Sequence, residues 1–68
     1  LKAVSGKAFC RILEGKGWEL NRINGSQRIY AKDGESARIS VSVHGNTPLK
    51  PGLQRHFMKT TGIDESEL

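Results

Sequence analysis

Asn24-Gly25, followed at once by Ser26-Gln27-Arg28-Ile29-Tyr30, forces the chain to reverse direction and enter a β-rich segment. Both turn residues tolerate positive φ, so two strands can be joined over a very short loop. A helix and a first strand are expected before this turn, and a further strand and a second helix after it. Arg28 offers a planar cation and Tyr30 a ring with a hydroxyl, a pair that serves RNA as readily as it serves a core. An Arg and a Tyr two apart on a strand also read as ordinary surface and packing residues.

Upstream, Ser5 is a good N-cap for a helix over Lys7 to Lys16, with Phe9, Ile12 and Leu13 at i, i+3 and i+4. Gly17 supplies the left-handed position that stops it, and Trp18 is placed to pack back on Leu13. Cys10 reads as a small half-buried hydrophobe and not as a nucleophile. The first strand is expected over Trp18 to Asn24 and the second over about Ser26 to Lys32, where Asp33-Gly34 reverses the chain again. In the third strand Ala37, Ile39, Val41 and Val43 alternate with Arg38, Ser40, Ser42 and His44, so one face is apolar and the other polar.

Pro51 suits the first turn of a second helix running through Leu53 to Thr61, with Leu53, Phe57 and Met58 inward, Lys59 outward and His56 in solvent. Gly62 repeats the glycine stop with Ile63 behind it, and Asp64 can cap one more short turn. The order is α-β-β-β-α: an α+β, two-layer domain with a three-stranded antiparallel sheet and two helices on one face. Its expected core is Phe9, Ile12, Leu13, Trp18, Leu20, Ile39, Val41, Val43, Leu53, Phe57 and Ile63. In the second strand the simplest assignment buries Ile29 and leaves Arg28 and Tyr30 outside.

At 68 residues the chain reads as one domain over 1–68, able to bury about 60% of its unfolded surface. A single cysteine rules out an internal disulfide and a zinc site of its own, which fits a reducing, cytoplasmic location. No run approaches the roughly 20 apolar residues of a membrane span, so no membrane partner is expected. All 11 Lys and Arg precede Asp64, against four acids, while Asp64, Glu65 and Glu67 supply the other three. A polyanion suits so basic a body, as each Lys or Arg set against a phosphate releases a counterion. A soluble, solvated surface explains the same charge.

Ser5-Gly6-Lys7, Gly17-Trp18-Glu19-Leu20, Gly25-Ser26-Gln27-Arg28-Ile29-Tyr30, Val41-Ser42-Val43-His44-Gly45-Asn46 and Leu49-Lys50-Pro51-Gly52 together resemble the HicA family of toxin–antitoxin ribonucleases. The resemblance spans nearly the whole chain. It implies the double-stranded-RNA-binding-domain topology, cleavage of mRNA, no small-molecule cofactor or metal, and neutralisation by a HicB-like antitoxin. It also implies a catalytic histidine after Gly-Ser on the second strand, where this chain has Gln27. A neutral imidazole can take the 2′-hydroxyl proton near pH 7, and a glutamine amide is not a base. The loss is typically worth ~10²–10⁴ in rate, about 3–5.5 kcal/mol of barrier. The residues fit either a deliberate replacement of an active histidine or a natural variant that is weakened or in which another base, such as His44, serves.

On that resemblance Lys50 and the amides after Pro51-Gly52 would hold a phosphate, Arg28 would steady the phosphorane, Tyr30 would meet RNA, and Lys7 or Arg55 would hold the strand. Three readings stand: a HicA-type endoribonuclease impaired at Gln27, a non-catalytic RNA-binding module of the same fold, and a protein-interaction domain with an acidic partner.

Overall fold

The computed structural model describes residues 1–68 and orders them as α1 (Gly6–Gly15), β1 (Glu19–Asn24), β2 (Gln27–Ala31), β3 (Ile39–Ser42), α2 (Pro51–Thr61) and a 3-10 turn at Glu65–Glu67. The strands form one antiparallel sheet in the order β1-β2-β3. This is the expected α+β architecture. The third strand is shorter than its alternation predicts, because β2 can pair with it only from Tyr30↔Ile39 to Gln27↔Ser42 before the Asn24-Gly25 turn begins. One further bond, Val43 N–H to the Ser26 carbonyl at 2.9 Å, carries the pairing onto the turn itself.

Both helices close at glycines, but by different devices. In α1 the Ser5 hydroxyl accepts the Ala8 N–H at 3.1 Å. At its other end Gly17 adopts φ 93°, the Gly17 N–H donates to Glu14 and the Trp18 N–H to Leu13, which is a Schellman ending. The expected similarity of the two ends is corrected at α2: Gly62 is left-handed, yet a single bond from its N–H to the Met58 carbonyl makes it the simpler αL stop. Asp64 caps the last short turn through the Ser66 N–H.

Phe9, Cys10 and Leu13 of α1, Phe57 of α2, and Tyr30, Ile39 and Val41 of the sheet make one core with Val4, Trp18, Leu49 and Ile63. The Phe9 and Phe57 rings meet at 5.8 Å, tying the helices together above the sheet. Ile12, Val43 and Met58 are partly buried against this core. Leu20 and Leu53 do not join it. Leu20 lies on β1, an edge strand exposed along its whole length, and Leu53 lies beside the inward face of α2, which presents Gln54 and Phe57 instead.

Gln54 is fully buried because its amide satisfies the N-terminal segment: Oε1 accepts from the Val4 N–H at 3.4 Å and Nε2 donates to the Lys2 carbonyl at 2.6 Å. The Leu49 N–H donates to the Val4 carbonyl at 2.8 Å and completes the tie. The acidic tail folds back on the body, with Lys16 Nζ 2.8 Å from Glu67 Oε1.

The assignment of faces in β2 is reversed from expectation. Arg28 opposes Val41 and Tyr30 opposes Ile39, so these two point to the helix side, and Tyr30 is completely buried. Ile29 turns to the open face and is half-buried there. Burying Tyr30 removes more apolar area, and its hydroxyl still reaches a partner by donating to Glu14 Oε2 at 2.7 Å.

Two glycines give opposite predictions. At Gly6 a Cβ would overlap the backbone carbonyl of Ser42, so Gly6→Ala should cost about 3 kcal/mol. At Gly15 nothing lies within 4 Å, and Gly15→Ala should gain about 0.5–1 kcal/mol. Urea unfolding followed by Trp18 fluorescence measures both.

Burial, and then the bond to Glu14, push the Tyr30 phenol well above its ordinary value. Above about pH 10 the unfolded chain therefore releases a proton that the folded chain keeps, and stability falls as pH rises. Tyr30→Phe should flatten that alkaline decline in a series of thermal melts, while costing about 1 kcal/mol at neutral pH.

Candidate nucleic-acid interface

Because side chains alternate along a strand, the inward turn of Tyr30 sends Ile29 and Gln27 to the open face of the sheet. Opposite them stand Ser40 and Ser42 of β3, and Arg22 of β1 opposes Ile29 on the same face. The Gln27 amide is held from both ends: Ser40 Oγ donates to Oε1 at 2.9 Å, and Nε2 donates to Ser42 Oγ at 2.6 Å. It is half-buried, with its one acceptor and one donor group engaged by two hydroxyls.

This hairpin end of the sheet is also where the helices start. Gly6 sits against the Ser42 carbonyl, which leaves the exposed Lys7 one residue further into α1. Residues 44–50 lead from β3 to α2, and Lys50 occupies the N-cap position with no side-chain capping bond. Between β3 and α2 lies a cleft of about 340 Å³ lined by Ser42, His44, Thr47, Pro48, Lys50 and Leu53, among others. Ser42 thus belongs to both features, holding Gln27 with its hydroxyl and forming one wall of the cleft.

Of the residues singled out in the sequence, Gln27, His44 and Lys50 gather at this end, with Lys7 beside them. Three do not. Tyr30 has no exposed surface with which to meet RNA. Arg28 opposes Val41 and so lies on the helix side of the sheet, the face opposite to Gln27. Arg55 is exposed on α2 near Glu65, toward the acidic tail. Cys10 itself is buried against the Tyr30 hydroxyl, and burial pushes its thiol up, away from the thiolate a nucleophile needs.

Ser40, Ser42 and Arg22 were not marked as site residues by sequence. The hydroxyls stand out on the polar face of the third strand, but their pairing with Gln27 depends on a cross-strand register that periodicity does not report. Nowhere do three His, Cys, Asp or Glu side chains gather in metal-ligating range. No helix is long and apolar enough to cross a membrane.

Compared with known protein families, residues 6–63 match the HicA toxin of bacterial toxin–antitoxin systems. The matched span takes in both helices, all three strands and the Gln27 site, and stops short of the acidic 3-10 turn. Among curated proteins, none matches the chain by sequence. With 58 of its 68 residues inside the family's own pattern, the chain belongs to the HicA toxin family.

Proposed function

We propose that this chain is the RNA-directed component of a toxin–antitoxin pair, binding mRNA over the hairpin end of its sheet, with position 27 as the centre of metal-independent cleavage and Gln27 leaving that centre weak. The observation that carries this reading is the Gln27 amide held on the open face between two serine hydroxyls. A neutral imidazole offers the same pair of groups, one acceptor and one N–H donor. The serines that hold the amide would therefore hold a histidine ring in a single tautomer.

The chemistry is an internal transfer. A base removes the 2′-hydroxyl proton, the oxygen attacks the adjacent phosphorus, and the 5′-oxygen of the next nucleotide leaves with a proton, giving a 2′,3′-cyclic phosphate and a 5′-hydroxyl. Gln27 can hydrogen-bond the attacking hydroxyl but cannot accept its proton. In this reading Lys50, which lines the cleft beside Ser42, and the exposed Lys7 near the start of α1 would take the flanking phosphates. A HicB-like antitoxin would silence the toxin by covering this end.

The test compares the chain with Gln27→His on a single-stranded RNA in the presence of a chelator. The histidine form should cleave about 10²–10⁴-fold faster, with a rate that rises through the imidazole range near pH 6–7. Adding Ser42→Ala to it should cost about tenfold, the equivalent of one orienting hydrogen bond. Equal rates for the two forms would overturn the assignment of position 27.

A second reading draws on the same geometry. Both ends of the Gln27 amide are satisfied within the protein, which suits a residue that shapes a binding face more than one that reacts. A non-catalytic RNA-binding module would bind RNA in both forms and cleave it in neither.

A further inference from the structure

The clefts at the two ends of the molecule differ in charge. The one at the far end, about 440 Å³, carries the carboxylates of Glu19, Asp33 and Glu35 beside two cations, a poor seat for a polyanion. The one between β3 and α2 has no carboxylate in its lining, and no acid stands in the first turn of α2. Its walls are Pro48, Leu49 and Leu53, its rim Ser42, His44, Thr47 and Lys50. Leu53, at 38% exposed, is an apolar side chain left out of the core and offered to this space.

At about 340 Å³ the cleft stands at the low end of small-ligand sites, which run roughly 300–1,000 Å³. Apolar walls and an imidazole suit the flat face of a base, and a lysine at the mouth suits its phosphate. Paired bases have no free face to insert. We infer that this cleft seats one unstacked base of a single-stranded RNA, with Lys50 on its phosphate, so that the neighbouring ribose lies over Gln27. The inference rests on the proposed RNA-binding reading and adds to it the strandedness of the substrate and the place of one nucleotide. Ser42 links the two positions, since it walls the cleft and bonds Gln27 at 2.6 Å.

Fluorescence anisotropy of the chain as it stands, with a short oligoribonucleotide and the same sequence as a blunt duplex, tests this at low salt. The single strand should bind more tightly. Leu53→Glu should weaken that binding roughly 5- to 150-fold, the equivalent of one lost base contact. Glutamate is well suited to the third position of a helix, so α2 should keep its start. Leu20→Glu, which adds the same charge at the far cleft, should change binding less than about twofold, within the range of a surface charge. Independently of any variant, a strand carrying 4-thiouridine should crosslink on irradiation to residues 44–53.

Equal loss in the two glutamate variants, no loss with Leu53→Glu, preference for the duplex, or crosslinks confined to the far cleft would each overturn the assignment while leaving RNA binding itself intact. Absence of any RNA binding by the parent chain would remove the broader reading and this inference together.

Discussion

The direction in which one tyrosine points sets the working surface of this molecule. Tyr30 is drawn under α1 by the apolar area it buries and by the Glu14 carboxylate that receives its hydroxyl. A strand has a period of two, so that single choice also decides the side chains of Arg28, Ile29 and Gln27. With Tyr30 inside, Gln27 must be outside, opposite Ser42. The alternative with Ile29 inside would have taken Gln27 into the core with it, where an unpaired amide costs about 1–3 kcal/mol and no substrate could reach it. The packing of the core and the accessibility of the site are consequences of the same alternation.

What holds the hairpin end in place is spread along the chain. The segment before α1 is tied to the loop before α2 by the Val4–Leu49 bond, and Gln54 closes the tie from inside. Gly6 lets α1 approach the Ser42 carbonyl more closely than any other residue would allow. Both helix starts are in this way brought to the end of β3, and with them Lys50 comes to line the cleft beside Ser42. A domain of this size has little core to spare, so contacts that would be secondary in a larger protein set the shape of the site here.

Local signals account for the parts of the fold that were legible in the sequence. The Asn24-Gly25 turn, the left-handed glycines after each helix and the alternation of Ile39 and Val41 each act within a few residues, and each appears in the structure where expected. The inward turn of Tyr30, the burial of Gln54 and the exposure of Leu20 and Leu53 depend on partners far away in the chain. Ile29 and Tyr30 are equally good strand residues, and what separates them is the larger area Tyr30 buries and the reach of its hydroxyl to Glu14. Nothing local marks Gln54 for burial, since its two backbone partners, at positions 2 and 4, lie about fifty residues away. Gln27 could be singled out from the sequence as a candidate, but the serines that hold its amide could not, since they come from another strand.

On the function proposed above, the constellation of Gln27 and its two serines also separates affinity from turnover at one residue. An amide and a neutral imidazole present the same acceptor and donor to Ser40 and Ser42, so exchanging one for the other leaves the open face nearly unchanged for a bound ribose. Binding that is equal in the ground state and the transition state contributes nothing to the chemical step. Proton transfer is made only in the transition state, and it is the one thing the amide lacks. On the proposed reading, such a face grips RNA through its cations whichever side chain stands at position 27, and an antitoxin that recognises the grip need not distinguish an active toxin from an inactive one.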